Sequence, residues 1–186
     1  MREDKTALRK EVRERKNMFS EEELKAHSER ICGQLLRHGK VLEAETVFAY
    51  WSLSDEVCTH RLVTKLLAMG KTVLLPKVVS DTQMTIHRLT ALSDLSEGAY
   101  GIMEPTTEAL PQETWTELLQ HNGVGLIPGM AFDKAMHRMG RGKGYYDRVL
   151  AKLPGMYKIG VCFPFQLYNE IPATNLDVLM NEVCCG

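Results

Sequence analysis

The run Arg138-Met-Gly-Arg-Gly-Lys-Gly-Tyr-Tyr-Asp147 constrains this chain more than any other segment. It begins shortly after an apolar stretch, Gly123–Ile127, that Pro128-Gly129 brings to an end. It leads into a segment with Tyr146, Val149, Leu150 and Leu153 at i, i+3, i+4 and i+7, which is one face of a helix. A strand, a glycine turn and a helix in that order belong to an α/β layer architecture, with the turn near a strand's C-terminal end. Gly140, Gly142 and Gly144 allow backbone dihedrals that other residues avoid, so successive N–H groups can converge on an anion. Arg141 and Lys143 add full positive charge there. Asp147 adds a hard oxygen suited to a magnesium ion carried by a nucleotide. The free N–H groups opening the helix also favour phosphate. The same spacing would serve a tight turn needing glycine for geometry alone, but two cations and a following acid weigh toward a triphosphate cradle. A Walker loop would place Ser or Thr after Gly-Lys, and a dinucleotide fingerprint spaces its glycines differently.

The rest of the chain alternates strands and helices. Residues 3–17 have helical periodicity with a thin apolar stripe of Leu8 and Val12, continued by Phe19, and Lys5, Arg9 and Lys16 on its edge. Ser20-Glu-Glu-Glu23 is a capping box for a second helix that Gly39 is expected to close. Strands are expected at 45–51, 72–75, 84–89, 123–127, 157–163 and 178–183, with a helix capped by Thr59 and stopped by Gly70. Residues 93–111 read as a long polar loop. The expected fold is a single α/β domain over 1–186, three-layered, with a mostly parallel central sheet flanked by helices.

At 186 residues the chain can bury a full core without covalent staples. Its formal charge of −1 gives no global field for nucleic acid or an acidic membrane. No segment is long and apolar enough to span a bilayer, and the charged start is not a signal peptide. Five scattered cysteines without a Cys-x-x-Cys argue against a disulfide framework or zinc site, and point to a reducing cytoplasm. The six histidines show no metal-ligand spacing, and no Ser-His or Cys-His nucleophile stands out.

Taken whole, Pro128-Gly-Met-Ala-Phe-Asp133 and Arg138–Asp147 resemble the 5-formyltetrahydrofolate cyclo-ligase family. The resemblance extends to Lys5 and Arg9, to Ser52–Thr59 after the first strand, to Tyr100-Gly-Ile-Met-Glu-Pro105, and to Ile171-Pro172 with Asp177. It implies ATP- and Mg²⁺-dependent closure of 5-formyltetrahydrofolate to 5,10-methenyltetrahydrofolate, in a cytoplasmic monomer. By that resemblance Lys5, Arg9, Arg138, Met139, Gly140, Arg141, Gly142, Lys143, Gly144, Tyr145 and Tyr146 would bind ATP, with Arg141 and Lys143 catalytic. Leu53, Glu56, Cys58 and Tyr145 would meet the reduced folate, and Asp147 and Asp177 would hold Mg²⁺. The N-terminal helix would close over the nucleotide. On its apolar face, however, Tyr146 reads as a core anchor. Three positions depart from the family's usual pattern: Cys58 replaces an acid in the folate loop, Met136 stands where glycine is usual, and Asn181 replaces an aspartate. With Met136 in place, the turn must use ordinary dihedrals or be strained. Two other readings are a nucleotide- or folate-binding protein without turnover, and a sugar-phosphate isomerase or CoA-transferase-like enzyme.

Overall fold

Side-chain alternation along the central strands decides the architecture. In β1 (Thr46–Phe48) Val47 faces one apolar cluster and Phe48 the other. In β2 (Thr72–Val78) Val73 and Leu75 face the first and Leu74 the second. β6 (Gly123–Pro128) repeats this with Val124 and Leu126 against Ile127. A strand apolar on both faces must be covered on both, which makes three layers. The computed structural model describes residues 2–98, 103–174 and 177–186.

One covering layer holds α2 (Glu21–Arg37) and α4 (His60–Ala68), whose Ile31, Leu35, Leu62 and Leu66 are fully buried on the first cluster. The other holds α5 (Gln112–Asn122) and α6 (Tyr145–Leu150), which bring Trp115, Leu119, Val149 and Leu150 to the second. With β3 (Met84–Leu89), β9 (Tyr157–Val161) and β11 (Glu182–Cys184), the main sheet runs β11-β9-β6-β1-β2-β3. All neighbours are parallel except the β2–β3 hairpin. From β1 the chain moves through β2 to one edge and later from β6 to the other. The switch point of the sheet therefore lies between β1 and β6.

Two small sheets complete the fold. β4 (Leu95–Glu97) and β5 (Met103–Pro105) form a hairpin where a loop was expected over 93–111. Of the segment Tyr100–Pro105, Tyr100, Gly101 and Ile102 lie outside the described residues. β7 (Ala131–Asp133) pairs with β8 (Arg138–Met139) and β10 (Leu167–Tyr168). α1 (Arg2–Lys16) lies against this second sheet, with Val12 buried among Met130, Ala131, Met139 and Ile171.

Several local expectations change. Gly39 does not close α2; extended His38 ends it and caps the short α3 (Gly39–Glu43), its Nδ1 accepting from the Lys40 N–H at 3.2 Å. Thr59 precedes α4 without capping it through its side chain. Its hydroxyl instead donates to the Tyr50 carbonyl at 2.5 Å and accepts from the Ser52 N–H at 3.2 Å. The last strand is Glu182–Cys184 rather than 178–183, and the first is confined to Thr46–Phe48.

Candidate functional site

Four loops leave the C-terminal edge of the parallel strands together. They are the segment after β1, the β2–β3 tip, the β7–β8 turn with the glycine run, and the segment after β9. The glycine run fits its place for two reasons. Gly142 and Gly144 have φ of 104° and 66°, a region where a β-carbon is strained. At Gly140 a β-carbon would stand 3.0 Å from the Arg138 guanidinium, which would have to shift by a few tenths of an ångström.

Asp133, fully buried, anchors the base of the run. Its carboxylate accepts from the N–H groups of Ala135 and His137 at 3.0 and 2.9 Å, from the Ile171 N–H at 3.1 Å, and pairs with His137 Nδ1 at 3.0 Å. Each of these groups would be orphaned without it. The turn between Asp133 and His137 places Met136 at φ 68°, so of the two possibilities for that position the strained one is realised. Met136 nonetheless packs on the second core cluster, and its carbonyl accepts from the Met180 N–H at 2.9 Å.

The cations are held by acids from other loops. Arg138, only 3 % exposed, donates to Asp147 Oδ1 at 2.7 Å and to the Pro128 carbonyl at 3.3 Å, over the ring of Tyr146. Its buried Nε–H meets no acceptor among the described residues. Arg141 reaches back to the loop after β1, donating to Asp55 at 2.5 Å and Glu56 at 3.2 Å. Lys143 donates to Asp81 on the β2–β3 tip at 2.8 Å, and the Tyr145 hydroxyl donates to the Ser80 carbonyl beside it at 2.8 Å. Lys5 pairs with Asp177 at 2.9 Å, and Arg9 Nε donates to the Gly140 carbonyl at 3.0 Å. The expected triphosphate contacts thus converge on one rim, with α1 tied to the glycine run.

Two carboxyls are driven in opposite directions. Burial pushes the Glu56 carboxyl above its usual range, against the hydrogen bond from the Leu53 N–H and the Arg141 charge. Burial also opposes ionisation of Asp55, yet the hydrogen bond and charge of Arg141 prevail and hold its carboxyl below the usual range. One guanidinium therefore serves two acids of unequal burial.

Other expected residues are placed differently. Met139 is a buried core side chain beneath α1, while Tyr146 is the core anchor its periodicity implies, packed on the second cluster 6.0 Å from the Phe48 ring. The backbone of Cys58 bonds to α2, its N–H donating to Ser28 Oγ at 3.0 Å and its carbonyl accepting from Cys32 Sγ at 3.3 Å. The loop after β1 meets the glycine run through Asp55 and Glu56 rather than through Cys58. α6 has only six residues, so an anion at the glycine run would depend on local N–H groups and side-chain charge more than on a helix dipole. The acids Asp55, Asp81 and Asp133 carry no local signal of their roles; Asp55 and Asp133 lie inside the Ser52–Thr59 and Pro128–Asp133 segments, and Asp81 in neither.

No group of three or more His, Cys, Asp or Glu suited to a resident metal occurs among the described residues. Asp147 uses Oδ1 for Arg138, and no hydrogen bond occupies Oδ2 among the described residues. Such a sparse donor set suits a hard cation that brings phosphate oxygens and water as its remaining ligands.

Comparison with known proteins settles the family. The 5-formyltetrahydrofolate cyclo-ligase family model matches residues 1–186. The chain belongs to the 5-formyltetrahydrofolate cyclo-ligase family. It is an enzyme of the ligase class. A 5-formyltetrahydrofolate cyclo-ligase of Mycolicibacterium smegmatis is 31 % identical over 187 residues, covering 96 % of this chain and 92 % of that one. A probable 5-formyltetrahydrofolate cyclo-ligase of Caenorhabditis elegans is 29 % identical, covering 98 % and 93 %. The solution structure of the Aquifex aeolicus 5,10-methenyltetrahydrofolate synthetase superposes with a TM-score of 0.81 at 31 % identity, covering 97 % of this chain and 89 % of that one. The three-layer fold with its mostly parallel sheet is thus shared with the Aquifex protein. No helix among the described residues is long and apolar enough to cross a membrane.

Proposed function

We propose that the enzyme converts 5-formyltetrahydrofolate to 5,10-methenyltetrahydrofolate with cleavage of ATP to ADP and phosphate. The observation that carries this reading is Arg141, which joins the glycine run to Asp55 and Glu56 of the loop after β1. A cation that touches both loops can serve a phosphoryl group passing between nucleotide and folate.

The formyl oxygen is a poor leaving group. Transfer of the γ-phosphoryl group to it makes it a good one: N10 attacks the activated formyl carbon, the C–O bond breaks, and phosphate departs as the ring closes. Such chemistry needs alignment and charge neutralisation more than a protein nucleophile. The N–H groups of Gly140, Gly142 and Gly144 wrap the phosphates, while Arg141 and Lys143 offset the charge that develops on the transferring group. Arg138 offers its unpaired Nε–H and orients Asp147. Lys5 and Arg9 bring α1 across the nucleotide. Leu53 and Tyr145 line the folate side, and Glu56 accepts from pterin N–H groups once Arg141 turns to phosphate.

Magnesium, held by Asp147 and Asp177 together with phosphate oxygens, would neutralise charge on the triphosphate. The domain would act as a monomer in the cytoplasm, where its five cysteines stay reduced.

The deciding experiment follows the methenyltetrahydrofolate chromophore from 5-formyltetrahydrofolate, with ATP and Mg²⁺ supplied or withheld. Product only when both are present is the expected result. Product without ATP, or none under any condition from folded protein, overturns the proposal.

A further inference from the structure

Arg141 is held by a single nitrogen. Its Nη2 donates to Asp55 Oδ1 at 2.5 Å and to Glu56 Oε1 at 3.2 Å, which uses both hydrogens that this nitrogen carries. A guanidinium presents five donors in a rigid fork, so three remain, one on Nε and two on Nη1. They meet no acceptor among the described residues, and the side chain is 40 % exposed. The guanidinium therefore stands with one corner anchored in the loop after β1 and one edge open to an anion.

The two anchoring acids differ in their surroundings. Glu56 is the more enclosed, with a side chain 14 % exposed against 31 % for Asp55. Its other oxygen accepts from the Leu53 N–H at 3.0 Å. Burial drives its carboxyl toward the neutral form in spite of Arg141. Burial acts on Asp55 in the same sense, but there Arg141 prevails, with help from the charge of Lys16. Lys16 is itself fastened next to Asp55, its ammonium donating to the Ser54 carbonyl at 2.9 Å.

We propose that Asp55 is a positioning residue for phosphoryl transfer: it keeps hold of Nη2 when Glu56 turns to the pterin, and so presents the Nε and Nη1 edge of Arg141 to the transferring group. The inference rests on the folate reading above and deepens it. Asp55 touches neither substrate and acts through Arg141, while Lys16 helps to keep it ionised. Without it, the guanidinium would have no fixed partner once Glu56 is engaged, and would have to be ordered during the reaction itself. A carboxylate beside the guanidinium also weakens its net pull on a ground-state triphosphate. The benefit of Asp55 therefore falls on kcat and not on KM.

The test is a double-mutant cycle in the chromophore assay with Asp55→Asn, Arg141→Gln and the two combined, read beside NMR of the arginine side-chain protons in the unliganded protein. Asp55→Asn should lower kcat about tenfold, while KM for ATP stays level or falls. In the Arg141→Gln background the same substitution should change kcat less than about twofold, since the group it positions is gone. In wild type the Arg141 Nη protons should give separate resonances, because the short bond to Asp55 hinders rotation of the fork, and Asp55→Asn should average them. Additive losses in the cycle, a raised KM for ATP with kcat unchanged, or Arg141 resonances indifferent to Asp55→Asn overturns the assignment. Absence of the chromophore from wild type would count against the folate reading alone. The NMR comparison needs no turnover, and it still decides whether Asp55 holds Arg141.

Discussion

Met136 offers a test in which the usual ranking of two small residues should reverse. Its φ of 68° places a β-carbon where L-residues are strained. That strain is worth roughly 1–2 kcal/mol. Truncation to Ala and to Gly removes the same packing on the second core cluster, so the difference between these variants reports only on the backbone. In ordinary conformations Gly is less stable than Ala by about 0.4–1 kcal/mol, because its unfolded chain is freer. Subtracting midpoints, Met136→Gly should be more stable than Met136→Ala by about 0.8 kcal/mol. For a chain of this length that is a difference in Tm of about 2–3 °C. Urea denaturation of both variants, with equal slopes, measures it directly. If the alanine variant equals or exceeds the glycine variant, the turn relaxes without a left-handed residue and the strain assigned to it does not exist.

Three further outcomes follow from the site. Asp133→Asn should destabilise the fold by about 2–4 kcal/mol, since an amide cannot accept from every group the carboxylate serves; unchanged urea stability would remove its role as anchor. Lys143→Ala should lower turnover in the chromophore assay at least a hundredfold while leaving the denaturation midpoint unchanged, because its pairing with Asp81 is a surface contact; near-wild-type turnover would sink its phosphate role. Glu56→Gln concerns pH. The folded carboxyl is raised above its unfolded value of about 4.3, so between those values the native state holds the extra proton and stability falls as pH rises. The penalty is complete above the folded pKa. The glutamine variant should lack this fall and match or exceed wild type at neutral pH, yet show a KM for the folate about tenfold higher. Parallel pH–stability curves for the two proteins would contradict the burial of that charge.

What could be read in advance followed locality. The capping box of α2 is present as its spacing implied, because Ser20 and Glu23 complete it within one turn. The core face of α6 is the one its periodicity gave, with Tyr146, Val149, Leu150 and Leu153 all on the second cluster. α5 went unread because only Trp115 and Leu119 are buried along it and Pro111 caps it with no side-chain bond. The glycine run was visible as an anion site, but its counter-ions were not. Asp55 and Asp81 lie 86 and 62 residues from the cations they hold, distances at which sequence carries no pairing signal. Tertiary context also settled Met136, whose strain depends on what Asp133 and Met180 demand of the turn.

The docking of α1 has a consequence for how the chain matures. Lys5 leaves the ribosome well before its partner Asp177, which lies 172 positions later. The other surfaces that hold the helix, around Met130, Met139, Phe165 and Ile171, are also late. During synthesis the helix therefore waits undocked, too thinly apolar to persist alone, while the sheet assembles behind it. The rim that α1 completes therefore forms late, and a nascent chain can hold most of its sheet while this helix is still undocked.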